Sequence, residues 1–339
     1  MPKVAVVILN WNGRKFLEQF LPALVLHTGT DAELIIADNA STDDSLAFLS
    51  KQYPNIRVIL NKENGGFSKG YNEALAQVSA EYYVLLNSDI EVSPNWIPPM
   101  LAMMEADPKI AACQPKLLAF HEKTQFEYAG GAGGFIDKFG YPFCRGRLFQ
   151  TLETDHGQYD EAMEIFWATG ACMFVRADLY HQFDGLDNDF FAHMEEIDFC
   201  WRLKNAGYKI MYCPDAKVYH VGGGTLPKQS SRKTFLNFRN NLILLYKNLP
   251  KRQMLQVFVA RLVMDFIASI KFLMEGHYPD FRAVFKAYVE FYSSLSVNKI
   301  KRQKIKHKKV GQIYTKSLVL DYFLRGKKKF SELERSFFN

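Results

Sequence analysis

Cysteine is scarce: the 339 residues hold five, Cys113, Cys144, Cys172, Cys200 and Cys213. Their odd number, wide spacing and lack of any CxxC pair argue against a disulfide framework and a zinc site, and fit a reducing compartment. A long uncharged apolar run is also missing. After Met1, Pro2 and Lys3 only VAVVIL precedes Asn10. That is too short for the apolar core of a signal peptide and has no cleavage-like site, so the mature protein is expected to equal the translation product. Residues 254–274 have the length of a membrane span but carry Arg261, Asp265 and Lys271, each costly at the centre of a bilayer. At about 100° per residue those charges gather with Ser269 and Glu275 on one side, which predicts an amphipathic helix instead. No internal repeat is present, and the one low-complexity tract is a lysine run.

What is there is the composition of an ordered chain, 48% hydrophobic and 23% charged, long enough for one large domain with an appendage or for two domains. The formal net charge of +6 is unevenly placed. Lys299, Lys301, Arg302, Lys304, Lys306, Lys308 and Lys309 fall together, and Arg325, Lys327, Lys328 and Lys329 follow. The basic excess belongs to the C-terminal end.

The first half alternates short apolar runs with helical patterns. VAVVIL is a continuous β-branched run, as expected of a strand buried on both faces. Helical periodicity over 15–26, a strand over 33–37 and a helix to about Tyr53 with N-cap chemistry from Ser41 to Asp44 follow. Then come a strand over 56–60, a helix opened by glycines over 65–78, and a strand over 82–86. This order predicts βαβ units and an α/β fold with a mostly parallel central sheet flanked by helices.

Ligands of such sheets sit at the carboxyl ends of the strands. Four polar clusters stand there: Asn10-Trp11-Asn12, Ala37-Asp38-Asn39, Asn61-Lys62-Glu63-Asn64 and Asn87-Ser88-Asp89. Between 94 and 160 the pattern breaks up around the glycine-rich stretch 130–134. Residues 166–176 read as a further strand with a tight Gly170, and 184–202 as an acidic loop entering a helix. After His220 the βα character ends, with Gly222-Gly223-Gly224 as the expected boundary and helical, basic sequence beyond.

Each candidate residue has a structural and a chemical reading. Asp89 either caps the turn after its strand or ligates Mg²⁺ or Mn²⁺, which are bound through one or two carboxylates plus substrate phosphates. Asp38 either shapes a turn or holds ribose hydroxyls or a base edge. Asn64-Gly65-Gly66, with Lys69 beyond, either serves the backbone alone or draws a diphosphate to a helix N-terminus. Glu195, Glu196 and Asp198, with Arg202, are either a solvated helix start or, shielded by Phe190, Phe191, Phe199 and Trp201, carboxylates with acidity suited to a general base. His220 is either a hydrogen-bonded structural residue or a transition-metal ligand.

Taken together, VVILNWNG, IIADNASTDDS, ENGGFSKGYN, YVLLNSDIEV, ATGACMFVR, FFAHMEEIDFCWRLKNAGY and HVGGGT resemble, in order, the motifs of family-2 glycosyltransferases with the GT-A fold, rhamnosyltransferase-like members in particular. The resemblance covers roughly residues 3 to 225. It implies that Asp38 contacts the nucleotide, with the backbone from Leu9 through Asn10 to Asn12 lining the same pocket. It implies that Asp89 is the last carboxylate of a metal-binding motif whose first position is Asn87, with Ser88 between them, and that His220 completes the metal shell. Glu195 and Glu196 match the family's Glu-Asp pair, so Glu196, or failing it Glu195, is the implied catalytic base. The implied activity is inverting, metal-dependent transfer of rhamnose or another hexose from a dTDP-, UDP- or GDP-sugar to a saccharide or lipid-linked acceptor in surface polysaccharide synthesis.

Residues 1–225 are thus expected to form the catalytic domain and 226–339 an amphipathic, basic helical region. Arg239-Asn240-Asn241 also resembles a segment that follows the family's catalytic domain. Beyond it Phe281, Val284, Phe285, Tyr288, Phe291, Tyr292 and Leu295 make an apolar stripe. The stripe would pack on the catalytic domain, on a homodimer partner, or on the inner face of a cytoplasmic membrane. Nucleic acid is not expected, since the strand-end acids would repel its backbone. Competing readings are a nucleotidyltransferase, which would want a basic phosphate loop where VVILNWNG stands, and a nucleotide-sugar-binding scaffold without a base.

Overall fold

The computed structural model describes residues 2–30, 32–222 and 230–339. The first half runs β1 (Val4–Asn10), α1 (Arg14–His27), β2 (Ala32–Asp38), α2 (Ser45–Gln52), β3 (Arg57–Leu60), α3 (Gly66–Leu75), β4 (Tyr82–Asn87), β5 (Ile90–Val92), α4 (Ile97–Ala106) and β6 (Ile110–Ala119). Short strands β7 (Gly134–Asp137), β8 (Pro142–Cys144), β9 (Arg147–Leu148), β10 (Thr151–Leu152) and β11 (Met163–Ile165) precede β12 (Cys172–Arg176), α5 (Ala177–Gln182), α6 (Glu195–Ala206) and β13 (Lys209–His220). The C-terminal region holds α7 (Ser231–Asn248), α8 (Lys251–Met274), α9 (Tyr278–Ser293), α10 (Leu295–Gln303), β14 (Ile313–Tyr314) and α11 (Leu318–Phe323).

The central sheet runs β11-β13-β6-β12-β4-β1-β2-β3, with β5 on β13. The block β3-β2-β1-β4 is parallel, as alternating βαβ sequence requires. β12 lies antiparallel between β4 and β6, while β13 runs parallel to β6, so the sheet is mixed. The apolar runs fill both of its faces: Val4, Val6 and Ile8 pack under α1, and Ala5 and Val7 under α3 with Tyr71 and Leu75. All five cysteines are buried free thiols.

Two local expectations change. α2 begins at Ser45, whose amide is accepted by Asp43 Oδ1 at 3.1 Å, so the cap chemistry comes from Asp43 and not from Ser41, which is bonded to Asn10 and Asn12. The strand expected over 166–176 is confined to Cys172–Arg176. Upstream, the Ala168 amide turns to the Cys200 sulfur and the Thr169 amide to Gln114 Oε1. Of the expected boundary glycines only Gly222 is among the described residues.

The irregular middle segment becomes a second sheet, β10-β9-β8-β7-β14, whose last strand comes from the far end of the chain. α7 packs on α6 and α9. α8 departs from the usual surface helix: its charged residues Arg261 and Asp265 are buried, bonded to Asn241 of α7, Tyr141 and Tyr288 of α9.

Candidate active site

Register brings the polar strand ends together. Asn10 pairs with Asp38 across β1 and β2, and Leu9 with Asn87 across β1 and β4, so these residues share one edge of the sheet. Asp38 is fully buried, its carboxylate accepting from Asn10 Nδ2 at 3.1 Å and from the Ser41 amide at 2.8 Å. Asn12, at a φ of 50°, accepts the Thr42 amide at 2.7 Å and the Asp43 amide at 3.2 Å. Gly13 lies so close to this cluster that a Cβ there would fall 2.3 Å from Asn10 Oδ1 and 3.3 Å from Ser88 Oγ. Asn10 Oδ1 itself has no hydrogen-bond partner among the described residues, an acceptor left open beside Asp38.

A ladder of amides fixes the glycine loop. Asn61 Nδ2 donates to Asn39 Oδ1 at 3.0 Å, Asn39 Nδ2 to Asn64 Oδ1 at 3.0 Å, and the Gly66 amide to the same Asn64 oxygen at 3.0 Å. Gly66 needs to be glycine: its φ is +79°, and a Cβ would sit 2.5 Å from the Phe191 carbonyl oxygen. Lys69 does not point to the strand ends; it is engaged by Glu63 and, at 3.6 Å, by Glu73.

Asp89 and His220 meet because β5 runs antiparallel to β13, setting Ile90 opposite His220. Asp89 Oδ1 lies 3.2 Å from His220 Nε2, and Glu127 Oε1 lies 3.2 Å from His220 Nδ1, all three groups being buried. Burial pushes the Asp89 carboxyl up most strongly, but the charge and hydrogen bond of His220, with the backbone amides of Asp89 and Gly222, together outweigh it and hold the group below the ordinary carboxylate range. Burial likewise pushes the imidazole down, and the two carboxylates outweigh it, raising His220 to about 10. Among the described residues no group of three or more His, Cys, Asp or Glu side chains is arranged around a cation position. The pair Asp89 and His220 would serve as neighbouring ligands of one ion only with the imidazole proton displaced, since a ring nitrogen ligates a metal in its neutral form. Ligand atoms at about 2.1 Å from an octahedral divalent ion stand about 3 Å apart, close to the 3.2 Å between Oδ1 and Nε2. Substrate phosphates are the customary source of the remaining ligands.

The acidic helix start behaves differently. Glu195 is buried and Glu196 half-buried, and Oε2 of each has no hydrogen-bond partner among the described residues. Burial pushes the Glu196 carboxyl up to about 7. Burial and the charge of Glu196 raise Glu195 further. Gly170 lies against Phe67 and, at 3.8 Å from its notional Cβ, against Glu196 Cβ, so the glycine loop and the acidic helix share a wall. The backbone entering α6 turns through positive φ at Phe191, His193 and Met194, a conformation non-glycine residues seldom adopt. Asn240 of α7 holds it there, its Nδ2 donating to the carbonyls of Phe190, Ala192 and His193 at 2.9, 2.9 and 2.8 Å.

Asp198 and Arg202 face away from this centre. Asp198 is fully buried and accepts from Arg202 Nε at 2.8 Å, Lys247 Nζ at 2.9 Å and Asn248 Nδ2 at 2.8 Å. Arg202 also donates to the carbonyls of Phe183 and Gly185. Their work is to brace α6 against α7. Glu127, Asn240 and Lys247 escaped sequence reasoning as site residues. Glu127 lies in the irregular segment, where no periodicity places it; only the Asn240 neighbourhood carried a signal, through the Arg239-Asn240-Asn241 resemblance.

With this geometry in view, comparison with known proteins is informative. The family profile Glycosyl transferase family 2 matches residues 5–182. N-acetylglucosaminyl-diphospho-decaprenol L-rhamnosyltransferase of Mycobacterium tuberculosis is 26% identical over 231 residues, 63% of this chain and 75% of that protein. The low-salt glycan biosynthesis hexosyltransferase Agl10 of Haloferax volcanii is 23% identical over 246 residues, 71% of this chain and 74% of that one. Among solved structures, GalNAc-T7 with UDP, GalNAc and Mn²⁺ superposes with a TM-score of 0.58 at 15% identity, over 74% of this chain and 49% of that one. S. aureus TarS 1-349 in complex with UDP-GlcNAc gives 0.55 at 16% identity, over 84% and 80%. The shared architecture is the GT-A type, a helix-flanked α/β sheet, and the profile match across more than half of the chain makes it a member of glycosyl transferase family 2.

Proposed function

We propose that the protein is an inverting, divalent-metal-dependent glycosyltransferase that moves rhamnose or another hexose from a nucleotide-diphosphate sugar to a hydroxyl of a saccharide or lipid-linked acceptor. The observation that carries this reading is the opposed acidity of two carboxylate centres: Asp89 ionised beside His220, and Glu196 with an open oxygen and an acidity near neutrality. Rhamnosyl and hexosyl transfer by the two relatives supports the choice of sugar class, and the decaprenol-linked acceptor named for one of them supports the choice of acceptor.

In this reading residues 1–225 form the catalytic domain. Asp38, Asn10, Asn12 and the Leu9 backbone line the base and ribose, and Asn64, Asn87 and Ser88 face the donor's diphosphate side. Lys69, tied to two glutamates, contributes at most through the loop it flanks. Asp89 and His220 would hold Mg²⁺ or Mn²⁺, which when bound offsets the charge growing on the departing diphosphate. Glu196 takes the proton of the acceptor hydroxyl as that oxygen bonds to the anomeric carbon from the face opposite the diphosphate. The bond to the diphosphate breaks with its electron pair, and the configuration inverts. Glu195, whose proton is held by burial and by its neighbour's charge, stays neutral alongside.

The deciding experiment is transfer from UDP-, dTDP- and GDP-sugars with Mn²⁺ to a saccharide acceptor, comparing wild type with Glu196→Gln. The variant should bind donor and melt normally but fail to transfer; undiminished transfer would remove Glu196 from the role.

A further inference from the structure

Helix α8 is built in reverse for a surface that meets water. Its ionic pair points inward: Arg261 is 2% exposed, Asp265 0%, and the two lie 3.1 Å apart. Val257 and Phe258 pack inward, but most of its other apolar residues point outward. Leu255 (79% exposed), Val259, Leu262 and Phe266 recur at spacings of three and four, and Ile267 and Met274 (82%), seven apart, flank them, which makes one broad face along about 28 Å of helix. α9 packs beside α8 and widens the face with Phe285, Val289 and Tyr292, all exposed. Single exposed apolar side chains are ordinary, but a continuous face of this size marks a contact surface. Among the described residues no helix is long and apolar enough to cross a membrane, so the face lies against its partner instead of passing through it.

Charge selects the partner. Residues 226–339 hold 24 Lys and Arg against 7 Asp and Glu, a net +17, leaving residues 1–225 at −11. On α9, Arg282 and Lys286 border the apolar stripe. With Arg232 of α7 they rim a cavity of about 770 Å³ whose walls include Phe191, Phe235 and Leu236, and none of these three cations meets a carboxylate among the described residues. A second copy docking face to face would bring two such basic regions together. An anionic lipid surface would neutralise them while receiving the apolar stripe.

We propose that the α8–α9 face rests on an anionic lipid bilayer, with the apolar stripe at the acyl boundary and Arg232, Arg282 and Lys286 among the headgroup phosphates. The contact reaches the reaction centre: Phe191, in the wall of the cavity, accepts the Phe67 amide of the glycine loop at 2.6 Å. Acceptors embedded in the same bilayer would therefore arrive beside α6.

The test is sedimentation of the full chain with phosphatidylcholine vesicles, with and without phosphatidylglycerol. Wild type should partition onto the phosphatidylglycerol vesicles and release as salt rises. Phe266→Glu with Ile267→Glu should lower partitioning by about tenfold or more, and Arg282→Glu with Lys286→Glu should abolish the preference for the anionic lipid. Both pairs change exposed side chains, so their circular dichroism and their transfer to a water-soluble acceptor should match wild type. Equal binding to neutral vesicles would overturn the anionic assignment. So would partitioning that the Phe266→Glu, Ile267→Glu pair leaves intact, or a dimer that this pair dissociates while vesicles take up neither protein.

Discussion

Asp89, just past the end of β4, and Glu196, at the start of α6 beside Gly170, are carboxylates drawn wholly or partly out of water, yet their acidities move in opposite directions. Burial pushes both upward. At Asp89 a histidine 3.2 Å away, helped by backbone amides, outweighs the burial and keeps the group ionised; at Glu196 no cation among the described residues does so, and the proton stays on to about neutrality. The lesson is that depth alone does not assign a role to an acid. The nearest charge separates a group suited to holding a cation from one suited to taking a proton.

The sharpest way to break this comparison is to neutralise each acid in turn. Glu196→Gln should cost about 10²- to 10⁴-fold in turnover while leaving Mn²⁺-dependent donor binding, read by thermal shift, in place. Asp89→Ala should cost on the order of 10³-fold and should abolish the Mn²⁺-dependent shift as well. If both variants lost the shift equally, the division of labour would fail. A smaller effect is expected at Glu127, whose carboxylate lies 3.2 Å from the far nitrogen of His220. Glu127→Gln should weaken Mn²⁺ binding by about ten- to a hundredfold without moving the pH profile of transfer.

That profile tests the other half. Transfer should rise as pH climbs through about 7, where Glu196 loses its proton, and Asp89, ionised throughout, should add no limb there. The same shift has a thermodynamic sign. Because the folded-state acidity of Glu196 is raised from 4.5 to about 7, its contribution favours the fold fully below about pH 4.5 and is lost as pH rises through 7. Glu196→Gln should flatten that part of the stability curve, as urea titrations at several pH values would show. The smallest expected change is Asn240→Ala, which strips a donor from three carbonyls and should cost about 1 to 3 kcal/mol in urea unfolding.

A second contrast shows where sequence reading stops. The parallel block β3-β2-β1-β4 and its four polar ends were legible because buried parallel strands are continuous apolar runs and their ends face ligands by construction. In α8 the same kind of pattern reading found the two faces but gave no sign of which faces inward. Arg261 and Asp265 are buried because Tyr141, Asn241 and Tyr288 supply their hydrogen bonds, and those partners come from other elements, the two neighbouring helices and a loop of the middle segment. The stripe on α9 divides for the same reason: Val284 and Phe291 pack inward while Phe285 and Tyr292 face out.

The sequence by itself determined the alternation of strands and helices, the carboxylates at the strand ends, and the basic bias of the last third, because each of these is written in local order. Tertiary structure alone decided the rest. It brought Glu127 to His220, clamped the strained entry of α6 with Asn240, withdrew Asp198 and Arg202 into a brace, and turned the apolar side of α8 outward. Those outcomes depend on which group of another element satisfies a buried charge or carbonyl, and hydrogen bonds across tens of residues leave no periodicity to read.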